Sequence, residues 1–245
     1  MHWTIEDNLA TIVAALRLAR QLGADLCAFS ELAVTGFHRE IVALAFPQRV
    51  DPAISRVRAL SAELSIAVAL GAPSFDHQGR KFISHLLIDE TGALSAMVSK
   101  EGLTEAEATF FQRGSGRPVA TLQGRRCSAV ICREVEDFDR VTSQLPPGAA
   151  DLLFLPGALR PDPAKPRTDP PGFVLDALRL ARATCSTLVQ TNWPNALNRP
   201  EESVDGGQSM VISPAGELLF RLPRQAAGLG LFTLGERVFD WHPLP

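Results

Sequence analysis

Apolar residues recur at three- and four-residue intervals through Leu9, Ile12, Val13, Leu16, Ala19 and Leu22. That spacing predicts an amphipathic helix over residues 6–22, stopped by Gly23. The run "DLCAFSEL" follows without polar alternation, the pattern of a strand buried on both faces, and ends at Glu31 before the loop "AVTGF". A second helix is expected over about 52–65, ahead of a buried strand in "SIAVALGAPS". The segment "KFISHLLIDETGALSAMVSK" reads as two strands joined at Glu90–Thr91–Gly92. A polar stretch follows Lys100, and "PVATLQGRRCSAVICREV" then predicts strand, turn and strand, the second ending at Cys132. A helix over 136–145, a strand in "DLLFLPGA", a Pro-rich loop over 160–172 and a helix over 173–185 come next. A strand in "STLVQTNWP", a hairpin in "GGQSMVISPAGELLFRLP" and a last strand in "GLGLFTL" complete the pattern. Strands that alternate first with helices and then with hairpins predict a mixed α/β layered sandwich. No repeat, linker or composition break divides residues 1–245, so a single domain is expected.

Composition narrows the function classes. With 46% apolar and 21% charged residues in a chain of 245, the sequence is that of an ordinary globular protein. A net charge of −3 gives no general attraction to nucleic acid or anionic lipid, so neither is expected as a partner. No apolar run reaches the roughly 18 residues of a membrane span. The four cysteines, Cys27, Cys127, Cys132 and Cys185, form no C-x-x-C pair and have no histidines at zinc-ligand spacing. Acidic Glu6 and Asp7 precede the first apolar run, unlike a secretory leader. Reduced thiols, a cytoplasmic location and no metal are therefore expected. Of 24 basic residues only Lys81, Lys100 and Lys165 are lysines, so each lysine stands out.

Three polar residues end apolar strands: Glu31, Lys100 and Cys132. That edge of an α/β sheet is where ligands bind, and neighbouring parallel strands would bring the three into one crevice. Their chemistry is complementary. A thiol attacks carbonyl or nitrile carbon as thiolate, and an ordinary thiol is mostly protonated at neutral pH. Glu31 is suited to take that proton, and Lys100 and the N–H after Cys132 to stabilise charge developing on the substrate. Taken singly, each has an ordinary structural reading: a core cysteine, a helix-capping glutamate, a solvated lysine.

Their order and surroundings resemble the nitrilase superfamily, the carbon–nitrogen hydrolases. "GADLCAFSELAVTGF" is similar to that family's segment around its general base, placing Glu31 there, and "GALSAMVSK" places Lys100 on its lysine. "EATFFQRG" fits E-x-x-x-F-x-x-G, which puts Glu107 on the second glutamate, and "SAVICREVEDFD" resembles the nucleophile strand, with Cys132 as nucleophile and Glu134 at the usual acidic position. "LRLARATCSTLVQTNWPN" and "GGQSMVISPAGELL" resemble two further family segments, in family order. The resemblance implies a four-layer α-β-β-α sandwich, a cofactor-free acyl-thioester mechanism on a small amide or N-carbamoyl substrate, and a homodimer or larger homo-oligomer. An acyl transferase using the same thioester and a catalytically silent scaffold are the competing readings.

The departures from the family pattern are specific. Ser30 stands where a proline precedes the base, and Cys185–Ser186 where Glu and Asn are usual. Arg133 replaces an aromatic residue after the nucleophile; it is a candidate for an acidic substrate, or for ordinary pairing with Glu134, Glu136 or Asp137. Asn192 and Trp193 follow a strand end where the family contacts substrate, and His38 lies in the loop after Glu31. Ahead of Glu6 the chain has only "MHWTI" where a Val/Ala-rich strand is usual. The expectation is a start upstream of residue 1, or else a sheet without its first strand.

Overall fold

A computed structural model describes residues 2–38, 40–161, 169–193, 207–223 and 227–244. Helix α1 (Ile5–Gln21) begins at Thr4, whose side chain accepts from the Asp7 N–H, and buries Ile5, Ile12, Ala15, Leu16 and Ala19 along one stripe. Strand β1 (Leu26–Ala28) follows, then the short helix α2 (Ile41–Leu44) and α3 (Pro47–Leu64) with proline in its first turn. Strands β2 (Ala67–Phe75), β3 (Lys81–Ile88) and β4 (Leu94–Ser99) complete a four-stranded sheet in the order β1-β2-β3-β4. Within it β1 is parallel to β2 and the remaining pairs are antiparallel.

The second sheet is built from β5 (Ala120–Leu122), β6 (Arg125–Ala129), β7 (Leu152–Gly157), β8 (Thr187–Asn192), β9 (Met210–Ile212) and β10 (Leu218–Arg221), in the order β10-β9-β8-β7-β6-β5. Its centre, β6-β7-β8, is parallel, which requires crossovers. Helices α5 (Phe138–Gln144) and α6 (Gly172–Thr184) supply them; a single-turn helix, α4 (Glu105–Ala108), lies between the sheets in sequence. A hairpin of β11 (Gly228–Phe232) and β12 (Phe239–Pro243) closes the described chain.

Three apolar layers hold these elements together. One joins α1 and α3 to β1 and β2 through Leu16, Val57, Leu60, Val68 and Leu70. Another joins α5 and α6 to β7–β9 through Val141, Leu153, Leu155, Leu180 and Ile212. Between the sheets lie Ala67, Ala69, Leu87, Leu122, Ala129 and Phe154, their small members letting the two faces approach. The result is a four-layer α-β-β-α sandwich, as the resemblance implied.

Differences from the expected elements have local causes. The strand expected to reach Glu31 stops at Ala28, because the chain turns through residues 31–35. The strand expected to reach Cys132 stops at Ala129, and Cys132 opens a 3-10 helix over Cys132–Glu136. Helix α4 and strand β12 were not anticipated, being too short or too polar to show periodicity. Cys185, in place of the family's glutamate, is the exposed left-handed cap of α6, at φ 52°, while Ser186 is buried and donates to the Ala150 carbonyl at 2.8 Å. Among the described residues α1 is the first element, and β1 is the edge of its sheet. A cavity of about 770 Å³ lies between β1, α1 and the β11–β12 hairpin. Much of the Pro-rich loop, residues 162–168, and the segment 194–206 lie outside the described residues. No described helix is long and apolar enough to cross a membrane.

Candidate active site

Glu31 sits in a turn that sequence propensity would not choose. Leu32 adopts φ 51°, the left-handed region, a conformation costing an L-residue about 1–2 kcal/mol. The surroundings hold it there. Val34 donates to the Gly71 carbonyl at 3.1 Å, and Gly36 donates to Leu32 at 2.7 Å. Strand β2 passes so close that a Cβ on Gly71 would lie 2.1 Å from the Ser30 carbonyl oxygen and 2.6 Å from Leu32 N. From the other sheet, Trp193 Nε1 donates to the Glu31 carbonyl at 2.6 Å. The Glu31 side chain is thereby fixed, 1% exposed.

Lys100 follows β4 by one residue, with its backbone N–H donated to the Ile83 carbonyl at 2.8 Å. Its side chain is wholly buried, and Nζ lies 2.8 Å from Glu31 Oε1 and 2.7 Å from Glu107 Oε1. Glu107 is held by a capping box: Thr104 N donates to Glu107 Oε2 at 2.8 Å, and Glu107 N donates to Thr104 Oγ1 at 3.2 Å. Each Glu107 oxygen thus has one task, the first gripping the ammonium and the second fixing the glutamate itself. Cys132, at φ 56°, is half-buried between the clusters around Leu155 and Ile131. Gly157 admits that bend, since a Cβ there would lie 3.2 Å from Cys132 Cα.

The convergence is real, but it is not along one sheet. Glu31 and Lys100 leave opposite edges of the four-stranded sheet, after β1 and β4, and Cys132 leaves β6 in the other sheet. Strands β1 and β4 run in the same direction, so both ends reach the same rim, which the second sheet meets.

The electrostatics separate the roles. Burial raises the Glu31 carboxyl above the usual range; Lys100 pulls it down and Glu107 pushes it up, and the balance is a raised value. Burial also works against the Lys100 ammonium, but the charges of Glu31, Cys132 and Glu107 outweigh it and hold Lys100 protonated. Desolvation and the Glu31 carboxylate push the Cys132 thiol up to about 12, opposed by Lys100 and by the Ala158 backbone N–H directed at the sulfur. A thiol in that state needs a base. Glu31 Oε2 is buried without a hydrogen-bond partner, and the Cys132 thiol is near enough to lower the Glu31 pKa.

The other candidates are committed elsewhere. Arg133 pairs with Asp137, its Nη2 at 3.3 Å from Oδ1, which is the ordinary ion pair among the two readings. Asn192 spends its amide on the protein backbone, accepting from Leu159 N at 2.6 Å and donating to the Leu159 and Gly207 carbonyls at 2.7 and 2.9 Å. Trp193 packs against the α1 side of the core and braces Glu31 as described. His38 is buried, stacked on Trp3 and bonded to the Thr35 carbonyl at 3.0 Å. Cys27 and Cys127 are core thiols, each pushed up to about 12 by burial. Among the described residues no group of three or more His, Cys, Asp or Glu is placed to hold a metal ion. Sequence reasoning missed Thr104, Gly71, Gly157 and a buried Arg117–Glu134 pair. Only Thr104 carried a readable signal, the Thr-x-x-Glu spacing of a capping box.

Comparison with known proteins agrees with the fold. The sequence model described as carbon-nitrogen hydrolase matches residues 1–241. A glutamine-dependent NAD(+) synthetase of Rhodobacter capsulatus is 24% identical over 257 residues, spanning 97% of this chain but only 42% of that protein. The amidase of Nesterenkonia sp. AN1 superposes with a TM-score of 0.77 at 28% identity, over 91% of this chain and 84% of the amidase. A mutant of that amidase carries the acetamide moiety of fluoroacetamide covalently on its active-site cysteine, and superposes with a TM-score of 0.76 at 28% identity, over 91% and 82% of the two chains. Another was solved with butyramide, with a TM-score of 0.77 at 29% identity, over 91% and 82%.

Proposed function

The chain belongs to the carbon–nitrogen hydrolase family, and from that premise we propose that it hydrolyses a small linear carboxamide through an acyl-enzyme on Cys132. The observation that carries the reading is the buried ammonium of Lys100, gripped by Glu31 and Glu107 at 2.8 and 2.7 Å beside a half-buried thiol. An ammonium has three donors, and those two carboxylates use two, which leaves one for a substrate oxygen.

The steps follow from those positions. Glu31 Oε2 takes the Cys132 proton as sulfur bonds to the amide carbon. The carbonyl oxygen becomes an oxyanion, stabilised by the third Lys100 N–H and by the backbone N–H after Cys132, which begins a helix and has no intrahelical partner by position. Glu31 returns the proton to the amide nitrogen, the C–N bond breaks, and ammonia or an amine leaves a thioester. Water then attacks the thioester carbon while Glu31 takes its proton, and collapse releases the acid and restores the thiol.

N-carbamoyl compounds present the same carbonyl and nitrogen and remain within the reading. The Rhodobacter relative's dependence on glutamine adds a specific candidate, because the glutamine side chain is itself a linear carboxamide. This chain spans less than half of that synthetase, so glutamine hydrolysis is proposed without its synthetase activity.

The test is a screen for ammonia release from acetamide, propionamide, butyramide, glutamine and an N-carbamoyl amino acid, paired with iodoacetamide labelling located by mass spectrometry. Turnover of one substrate and selective labelling of Cys132, both diminished in Glu31→Gln, are expected. Labelling of Cys132 no faster than of the exposed Cys185, or no labelling of Cys132 before unfolding, would favour the silent scaffold instead.

A further inference from the structure

We propose that Glu134 is a positioning residue, a buried carboxylate that ties the backbone after Lys100 to the backbone before Cys132 and thereby sets the ammonium against the thiol. The inference rests on the reading of Lys100 and Cys132 as the reacting pair. Neither residue is fixed by strand pairing to the other. Lys100 lies beyond the end of β4 in one sheet, and Cys132 three residues beyond β6 in the other. Something outside the two hydrogen-bond ladders must therefore hold them in register.

Glu134, which is completely buried, bridges the gap with both oxygens. Oε1 accepts from Glu101 N at 2.6 Å and Gly102 N at 2.9 Å, the two N–H groups that follow Lys100. Oε2 accepts from Ile131 N at 2.7 Å, the N–H that precedes Cys132, and from Arg117 Nη1 at 3.0 Å. Arg117 Nη1 also donates to the carbonyl of Ala129, the last residue of β6, at 3.1 Å, so the clamp is anchored to the strand itself. The approach is tight. A Cβ on Gly102 would lie 2.9 Å from Glu134 Cγ and 2.5 Å from Asp137 Oδ2, so a glycine is what lets the Lys100 loop reach the carboxylate.

Burial alone would raise the Glu134 pKa, but the hydrogen bond and charge of Arg117, with the Gly102 and Ile131 N–H groups, hold it below the usual carboxylate range. It is thus an ionised acceptor, which strengthens each of the four bonds. A buried Arg–Glu pair serving stability alone would need only the Arg117 contact. The three backbone N–H groups drawn from both sides of the site are what that explanation leaves out.

The test is Glu134→Asp, which keeps the charge opposite Arg117 but withdraws the carboxylate by roughly one C–C bond, about 1.5 Å, too far to serve both segments. In the enzyme assayed on the amide it turns over best, kcat is expected to fall about tenfold to a hundredfold, as a misplacement near 1 Å does, with KM nearly unchanged. The pH at which iodoacetamide alkylates Cys132 at half its maximal rate is expected to move upward, since the thiolate loses part of the Lys100 field. Should Glu134→Asp fail to fold, Gly102→Ala, which presses on Glu134 Cγ without removing charge, is read in the same two ways. A folded variant with wild-type kcat and an unmoved alkylation profile overturns the proposal. So does a loss of activity that tracks a fall in melting temperature while the profile stays in place. Failure of the underlying reading looks different: wild-type protein that neither turns over amides nor labels selectively at Cys132.

Discussion

The two oxygens of Glu31 have unequal surroundings, and the difference is chemical. Oε1 is bound to the Lys100 ammonium, whereas Oε2 is buried without a hydrogen-bond partner near the thiol. Glu31→Gln retains an oxygen for Lys100 but has no site for a proton. Activity is expected to fall by about 10²–10⁴-fold with the melting temperature within a few degrees of wild type, measured by ammonia release and thermal unfolding. Activity within tenfold of wild type would mean that another group takes the proton. Glu31, Lys100, Glu107 and Cys132 were marked as candidates by residue type and neighbouring motif, and the structure brings them together. What those motifs did not carry is the commitment of Asn192, Trp193 and Arg133 to intramolecular bonds, because a side chain's partner depends on which segment packs opposite it.

Elements place the candidate side chains by where they stop. β1 ends three residues before Glu31 and β6 three before Cys132, and both carry on into turns with a non-glycine residue at positive φ. Such turns persist where neighbouring elements enforce them, and Gly71 of β2 is the clearest enforcer. Gly71→Ala drives a methyl into the backbone at Ser30 and Leu32, atoms that cannot swing aside. A loss of about 1–3 kcal/mol is expected, together with loss of selective Cys132 alkylation as the Glu31 turn shifts. Gly172→Ala, whose Cβ meets nothing within 4 Å, is the control and is expected to stay within about 0.5 kcal/mol of wild type by denaturant unfolding. Equal stability of the two variants would remove β2 as the support of the turn. Helices 6–22 and 173–185 were read to within one residue at each end because amphipathic periodicity fixes them locally. The strand ends were overrun, since Phe29 and Val130–Ile131 remain apolar after the strands have stopped.

The packing of sheet on sheet has a titratable consequence. His85 on β3 is fully buried, with both ring nitrogens lacking hydrogen-bond partners and Phe154 of the opposite sheet 5.8 Å away centroid to centroid. Burial lowers its pKa to about 3. Below an unfolded value near 6.5 the unfolded chain takes up a proton that the folded protein refuses, so stability falls as pH drops from about 6.5 toward 3. The slope from this one residue is about 1.4 kcal/mol per pH unit within that window. In His85→Leu, denaturant unfolding at pH 7 and pH 4.5 is expected to differ by less than in wild type, by roughly that amount per unit. Identical pH dependence in the two proteins would show that the imidazole is protonated or hydrated in the folded state.

By itself the sequence determined the layered α/β plan, the ends of the first and last helices and four candidate groups, because periodicity and motif are written in residues close to one another along the chain; the second helix begins at Pro47, five residues before the expected start, because Pro52 lies within it. Only the tertiary structure decided that Glu31 and Lys100 leave opposite edges of one sheet while Cys132 leaves another, that two left-handed turns are tolerable, and that Glu134 faces both segments at once. Those outcomes depend on distances between residues tens of positions apart, which are set when the two sheets close on one another.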